Sequence, residues 1–143
     1  MMEKTGQPAA DSKRVRVAIA QSAPVYLDKR ASLAKALDLI HQAAKTGARL
    51  VAFGETWLPG YPAWLDVCAG AALWENTSAK DIFAKLRNNS ITVPGEEVNA
   101  LSEAARDLKI AIVIGASQCR SRKRDNLQLA CHYFRGWTSQ KSP

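Results

Sequence analysis

Glu55 has the clearest potential for chemistry in this sequence, because its carboxylate appears where a buried apolar strand stops. It lies in the segment 51–62, which reads Val-Ala-Phe-Gly-Glu-Thr-Trp-Leu-Pro-Gly-Tyr-Pro. Sheet enzymes place catalytic groups at such points, since the strand fixes the backbone and the following loop opens a crevice. We therefore treat Glu55 as the catalytic candidate. The structural alternative is a helix-capping or surface glutamate.

Short apolar runs predict the strands that position Glu55. Branched residues at period two predict a strand at 15–21, and apolar runs predict two more, at 50–53 and 110–114. The third run is uniformly apolar, so we expect it to be covered on both faces.

Helical patterns separate these strands. Apolar residues spaced for one helix face predict a helix at 28–46, and a second, polar helix is expected at about 80–88. A third helix is expected to open at Pro94, with acidic residues in its first turn. The β-α-β-α-β order predicts an α/β layered sheet, at least partly parallel, with Glu55 at the carboxyl end of the second strand.

The net charge of +7 is concentrated at one end of the 143 residues. Residues 1–118 carry 14 Lys and Arg against 12 Asp and Glu, whereas residues 119–143 carry six basic residues and one acidic residue. A basic tail can bind polyanions without specificity through counterion release. Because the rest of the chain is nearly neutral, we expect no specific nucleic-acid partner.

Composition also predicts where the protein works. No apolar run approaches the roughly 20 residues of a membrane span, so no membrane partner is expected. Residues 1–13 are polar and lack the apolar region of a signal peptide, which predicts a disordered arm. Cys68, Cys119 and Cys131 lack paired or metal-like spacing. We therefore expect reduced thiols, a cytoplasmic location and no metal site.

Several motifs between residues 14 and 115 follow the order found in one enzyme family. They are Gly-Ala-Arg-Leu-Val-Ala-Phe-Gly-Glu-Thr at 47–56, Pro-Gly-Tyr-Pro at 59–62, Val-Pro-Gly at 93–95 and Ile-Val-Ile-Gly at 112–115. Together they resemble the N-terminal part of the nitrilase (carbon–nitrogen hydrolase) superfamily, and the stretch 57–64 resembles its true nitrilase branch. Gly54 departs from the pattern, since many members have proline there; glycine permits the turn but fixes it less firmly.

The resemblance implies an α-β-β-α sandwich, of which this chain is expected to form the N-terminal part, truncated after about three strands. It also implies a Glu–Lys–Cys catalytic set that hydrolyses a nitrile to a carboxylic acid and ammonia. Glu55 matches the family's general base, and Tyr61 is expected to line the substrate pocket, with packing of its ring as the alternative. The resemblance implies no cofactor, a small nitrile substrate and a homo-oligomeric full-length form.

The lysine and the cysteine of that set have no match in this chain. Lys123 and Lys141 lie in a segment without strand or helix periodicity, where we expect solvated charges. Leu-Trp-Glu-Asn at 73–76 is similar to the family's Cys-Trp-Glu-Asn but lies too early, so we interpret it as coincidence. We therefore expect the chain to be inactive alone. The alternative function is a non-catalytic α/β module with a basic interaction tail.

Residues 119–143 read as an out-of-frame tail. With permitted codons, dropping one base across residues 124–131 turns this segment into Gly-Thr-Ile-Tyr-Asn-Ser-Leu, the hairpin motif that precedes the family's lysine. The sequence thus predicts a disordered arm at 1–13, a partial carbon–nitrogen hydrolase domain at 14–118 and a basic tail at 119–143. The alternative is a natural, disordered basic tail.

Overall fold

A four-stranded sheet carries the turn that contains Glu55. The computed structural model describes residues 14–71, 73, 75–119 and 127–135, with the backbone alone for 127–129. The strands are β1 (Val17–Ile19), β2 (Leu50–Ala52), β3 (Ala111–Cys119) and β4 (Leu127–Phe134), in the spatial order β1-β2-β3-β4. β1, β2 and β3 are parallel to one another, and β4 is antiparallel to β3. The predicted α/β class is therefore confirmed.

Among the described residues, one helix connects β1 to β2 and three connect β2 to β3. They are α1 (Lys29–Lys45), α2 (Trp64–Val67), α3 (Thr77–Asn88) and α4 (Glu96–Asp107). α1 matches its prediction, and Asp28 caps it by accepting a hydrogen bond at Oδ1 from the Ala31 amide at 2.9 Å. α3 begins earlier than predicted because Asn76 caps it in the same way, through the Ala79 amide at 3.1 Å. The four-residue α2 is absent from the sequence-based prediction.

Helices α1 and α4 cover one face of the sheet. Ile112 and Ile114 of β3 are fully buried on this face and share one core cluster with Ile40 of α1 and Leu101 of α4. An ion pair ties the two helices together, since Lys29 Nζ lies 2.8 Å from Glu97 Oε1. This packing holds β3, and the loops that cross it, in a fixed position.

The opposite face of the sheet stays open over β1. Val17 is 52 % exposed and Ile19 is 75 % exposed, and they align in register with residues of β2 and β3. Ala111 and Val113 are only half-buried. The prediction that the third strand is covered on both faces is wrong for these two residues, because α1 and α4 pack on the other side.

The sheet extends beyond the predicted third strand. β3 runs to Cys119 instead of residue 114, because residues 115–119 pair with residues 127–131 of β4. The prediction that residues 119–143 contain no strand is therefore wrong for 127–134. Apolar residues at 127, 129, 131 and 133 give this segment of the sequence a period-two pattern that can indicate a strand. The arm predicted at 1–13 lies outside the described residues.

Candidate active site

The turn that contains Glu55 is fixed to β3 on both of its sides. Before the turn, the Phe53 amide donates to the Val113 carbonyl at 2.9 Å. After it, the Leu58 amide donates to the Gly115 carbonyl at 3.0 Å, and Leu58 in turn accepts a hydrogen bond from the Ser117 amide at 2.7 Å. Glu55 consequently follows the carboxyl end of β2, which is where the sequence predicts it.

Gly115 brings β3 into direct contact with this turn. A β-carbon built on Gly115 would lie 2.4 Å from the Thr56 nitrogen and 2.8 Å from the Gly54 oxygen. Such distances leave no room for a side chain, so the turn sits directly on the β3 backbone. Thr56 itself has a φ of 49°, a left-handed conformation that is unusual for a threonine. The backbone around Glu55 is therefore held in one uncommon shape.

A cavity of about 350 Å³ opens beside the turn. Its walls are residues 53–56, Gly115, and Ala130 and Cys131 of β4. The Glu55 side chain is exposed, and within the described chain its carboxylate makes no hydrogen bond or ion pair. Glu55 is therefore an exposed acidic residue of the cavity wall.

Thr56 is the most deeply buried polar residue of these walls. It is 1 % exposed, and its Oγ1 has no hydrogen-bond partner among the described residues. Buried hydroxyl groups are usually paired, and an unpaired one often marks a site where a ligand or water completes the bonding.

Aromatic side chains fix the loop that follows the turn. Trp57 donates from Nε1 to the Ser22 carbonyl at 2.6 Å, and its ring packs edge-on against Phe53 with 5.0 Å between the ring centroids. Further along, the Trp64 ring packs edge-on against Tyr26 and Phe83. Trp57 and Trp64 belong to the stretch that resembles the nitrilase branch. Their contacts hold this loop in place.

Tyr61 lies on this loop but does not line the cavity beside Glu55. Its side chain is 46 % exposed, and it is not among the described residues that form the cavity walls. Its contact with substrate stays a prediction.

The structure also places Asn76 and Cys119, two other residues that the sequence analysis considered. Asn76, the last residue of the Leu-Trp-Glu-Asn motif, caps α3, which gives it a structural role. Cys119 is half-buried at the end of β3, with Sγ 3.6 Å from the Arg87 carbonyl. Lys123 and Lys141 lie outside the described residues.

Gly115, Thr56 and Cys131 belong to this site without being predicted from the sequence. Cys131 has no family context, and it comes close to Glu55 only through the pairing of β4 with β3. The sequence does contain one sign of this contact, which is Gly115 at the end of Ile-Val-Ile-Gly. A glycine inside a strand often marks the close approach of another backbone.

The described part of the chain contains no cluster of three or more His, Cys, Asp or Glu residues that could bind a metal. Within the same residues, no helix has the length and apolar character needed to cross a membrane.

The fold is that of known amidase structures. A mutant of the Nesterenkonia AN1 amidase from the nitrilase superfamily superposes with a TM-score of 0.53 at 18% identity, covering 90% of this chain and 41% of the amidase. The same amidase as a double mutant in complex with acrylamide gives a TM-score of 0.53 at 17% identity, covering 91% and 42%.

Sequence comparison defines the family. The model of the carbon-nitrogen hydrolase family matches residues 16–138, a range that includes β4. Nitrilase 2 from an unknown prokaryotic organism is 43% identical over 101 residues, and an aliphatic nitrilase from Rhodococcus rhodochrous is 40% identical over 105 residues. An arylacetonitrilase from Fusarium vanettenii is 39% identical over 104 residues. The chain belongs to the carbon–nitrogen hydrolase family.

The chain corresponds to only part of these relatives. The alignments cover 71% to 73% of this chain, but only 30% of Nitrilase 2, 28% of the arylacetonitrilase and 26% of the aliphatic nitrilase.

Proposed function

We propose that this chain forms the N-terminal part of a nitrile-hydrolysing enzyme in which Glu55 is the general base. The observation that carries the proposal is the position of Glu55 in a cavity at the carboxyl end of β2, within a chain that is about 40% identical to nitrilases. The substrate we propose is a small nitrile. A cytoplasmic location and a homo-oligomeric full-length form belong to the same proposal.

The proposed chemistry needs a base next to a thiol. A cysteine thiol is a weak nucleophile until a neighbouring base removes its proton, and the resulting thiolate attacks the nitrile carbon. Water then releases ammonia and hydrolyses the acyl-enzyme to the acid, and the same base activates that water. Glu55 fits this role because it is an exposed residue of the cavity wall and makes no hydrogen bond or ion pair within the described chain.

This chain alone is proposed to turn over no nitrile, since the family's lysine and cysteine have no match in it. We propose that the adjacent reading frame, entered between residues 115 and 124, encodes the rest of the enzyme. Sequencing the genomic DNA downstream tests this. We expect an open frame with the Gly-Thr-Ile-Tyr-Asn motif and a later Cys-Trp-Glu segment. Stop codons within a few dozen bases, or the lack of that segment, would show that the proposal is wrong.

The role of Glu55 is tested in the frame-restored protein. We expect Glu55→Gln to lower the rate of nitrile hydrolysis toward the upper end of the roughly 10²- to 10⁴-fold range of a general base. Glutamine keeps the size of the side chain but cannot take a proton, so the melting temperature is expected to stay near that of the parent. Glu103→Gln is the matched control, because Glu103 is an exposed residue of α4 outside the cavity.

A structural Glu55 predicts the reverse outcome. If Glu55 is only a capping or surface residue, Glu55→Gln lowers the free energy of unfolding by about 1 kcal/mol or less and leaves the rate near that of the parent. Near-normal turnover in the variant would remove Glu55 from the mechanism.

The second candidate function is a non-catalytic α/β module with a basic interaction tail. It is favoured by the charge of residues 119–143, six basic residues against one acidic residue. Binding of the chain to heparin at physiological salt, with no nitrile turnover in the frame-restored protein, would favour this function. Loss of heparin binding between low and physiological salt would indicate non-specific charge attraction alone.

A further inference from the structure

Basic residues are concentrated at the edge of the sheet where the parallel strands begin. Four described segments meet at this edge, namely 14–16 before β1, 45–49 at the end of α1, 106–110 at the end of α4, and Arg135 after β4. They contain seven Arg and Lys residues, all of them exposed, and one acidic residue, Asp107. We call these four segments the basic edge.

Strand pairing brings these distant segments together. The Arg49 amide donates to the Arg16 carbonyl at 2.8 Å, and the Ala111 amide donates to the Arg49 carbonyl at 2.8 Å, so the starts of β1, β2 and β3 lie side by side. β4 runs in the opposite direction, and its last residues pair with the first residues of β3, so Arg135 reaches the same edge. The near neutrality of residues 1–118 therefore conceals a separation of charge that the fold creates.

Helix ends account for part of this charge. Lys45 and Arg106 lie in the last turns of α1 and α4, where a cation interacts favourably with the negative end of the helix dipole. Arg16 donates from Nη1 to the carbonyl of Thr46, the residue that follows α1. The other four basic residues lie outside the helices, and they are Arg14, Arg49, Lys109 and Arg135. Because like charges repel one another, this excess destabilises the fold until an anion binds.

The residue types and their spacing favour a phosphate chain as the partner. Five of the seven basic residues are arginines, whose planar guanidinium groups match the oxygens of phosphate and carboxylate groups. Neighbouring strands begin about 4.8 Å apart along this edge. A phosphate chain carries a charge on every unit, whereas an extended acidic peptide presents to one side only every second side chain, about 6.8 Å apart. The phosphate chain therefore matches the closely spaced row of strands better.

The basic edge lacks the features that bind nucleotide bases. Proteins that bind single-stranded nucleic acids stack the bases on aromatic rings. The four segments of the basic edge contain no aromatic residue. The exposed ring of Tyr133 lies two residues before Arg135, but Arg135 Cζ is 5.6 Å from the centre of that ring and its Nε donates to the Tyr133 hydroxyl at 3.1 Å. Arg135 thus already occupies this ring, and the edge presents charge without a stacking surface.

We propose that the basic edge binds linear inorganic phosphate chains. The phosphate chain lies across the starts of the strands and accepts charge-assisted hydrogen bonds from the guanidinium and ammonium groups. Glu55 follows the carboxyl end of β2, at the other end of the same strand, and is not part of this surface. Phosphate-chain binding therefore requires neither nitrile hydrolysis nor the residues proposed for it, and either proposal can fail without the other.

Inorganic polyphosphate is the probe that tests this surface. Fluorescence anisotropy of end-labelled polyphosphate gives its affinity for the soluble fraction of the 143-residue protein at physiological salt. The edge variant carries Arg14→Gln, Arg49→Gln and Lys109→Asn, with asparagine at 109 because it tolerates the left-handed φ of 51° there. We expect this variant to bind polyphosphate about tenfold or more weakly than the parent, because three contacts with phosphate groups are lost.

Two control variants remove the same number of positive charges elsewhere. The first control changes three exposed residues outside the basic edge, Arg30→Gln, Lys85→Gln and Arg87→Gln. The second changes three residues of the basic segment before β4, Arg120→Gln, Arg122→Gln and Lys123→Gln. Both controls are expected to keep an affinity near that of the parent. The plot of log affinity against log salt is expected to become shallower by about 2 in the edge variant, at about 0.7 for each phosphate contact, and to keep its slope in the controls.

A milder variant keeps the test valid if the edge variant fails to fold. It carries Arg14→Gln and Lys109→Asn alone, and it is expected to bind more weakly than the parent and more tightly than the edge variant. Melting temperatures with and without polyphosphate provide a second readout, because a ligand that binds the folded state stabilises it. We expect polyphosphate to raise the melting temperature of the parent and the controls more than that of the two variants at the basic edge.

Four results would each overturn the proposal. The first is no binding of polyphosphate to the parent at physiological salt. The second is an equal loss of affinity in the edge variant and the controls, which would show that net charge alone attracts the probe. The third is a loss confined to the variant of the segment before β4. The fourth is binding of polyglutamate or of a single-stranded oligonucleotide, at equal charge, as tight as that of polyphosphate.

Discussion

Gly115 of β3 lies so close to Thr56 that a β-carbon on the glycine would stand 2.4 Å from the Thr56 nitrogen. The contact places the turn of the candidate base directly on a strand whose partner carries Cys131. Gly115 therefore lets the turn lie directly against β3, and both contribute to the wall of the same cavity.

This contact predicts opposite effects for two glycine substitutions. Gly115→Ala is expected to destabilise the chain by about 1–3 kcal/mol, because the added methyl group must displace backbone. Gly54 has no atom within 4 Å of a built β-carbon and no left-handed φ. Gly54→Ala is therefore expected to stabilise the chain by about 0.4–1 kcal/mol, through a less flexible unfolded state. Urea unfolding of both variants measures the difference. Equal effects of the two substitutions would contradict the close contact.

The Lys29–Glu97 ion pair is expected to stabilise the packing of α1 on α4. The two charged groups lie 2.8 Å apart and are partly shielded from solvent, since the Lys29 side chain is 24% exposed and the Glu97 side chain 10% exposed. We expect Glu97→Gln to cost about 1–3 kcal/mol, between the values for surface and buried pairs. Glu96→Gln is the control, because Glu96 is exposed and occupies the same first turn of α4, so the helix-dipole contribution cancels. A double-mutant cycle with Lys29→Met isolates the pair, and a coupling near zero would contradict its role.

His132 on β4 is expected to make stability depend on pH. Burial lowers the pKa of His132 below its ordinary value of 6.5, and its Nε2 has no partner among the described residues. The unfolded chain therefore binds the proton first, so stability is expected to decrease as the pH falls from about 6.5 through the lower folded pKa. Melting temperatures between pH 7.5 and 5.5 measure this effect. His132→Asn is expected to flatten the profile in that window, whereas the same change at the exposed His41 is not. A profile unchanged by His132→Asn would refute the assignment.

The exposed apolar residues on the open face of the sheet predict low solubility. Val17, Ile19 and Tyr133 are more than half exposed, and apolar surface of this kind binds dyes and other chains. We expect the isolated chain to bind hydrophobic dyes and to aggregate, and Val17→Thr with Ile19→Thr to reduce both. Val67→Thr is the control, since Val67 is 80 % exposed but lies on the short α2. A dye-negative monomer with a sharp thermal transition would contradict this prediction.

Local pattern was sufficient to determine most of the framework and the place of Glu55. α1 lies within one residue of its predicted ends, because its apolar spacing and its Asp28 cap are local signals. Glu55 follows β2 as predicted, because the end of an apolar run is visible in the sequence. Motif order likewise indicates the family without reference to any contact.

Only the tertiary structure determined what stands opposite Glu55. The approach of Gly115 to the turn and the pairing of Cys131 with Gly115 join residues that are far apart in the chain. Such contacts depend on strand register, and a shift of one residue would turn Cys131 to the other face of the sheet. Residue types and spacing carry no record of that register, so the composition of the cavity emerges only when β4 pairs with β3.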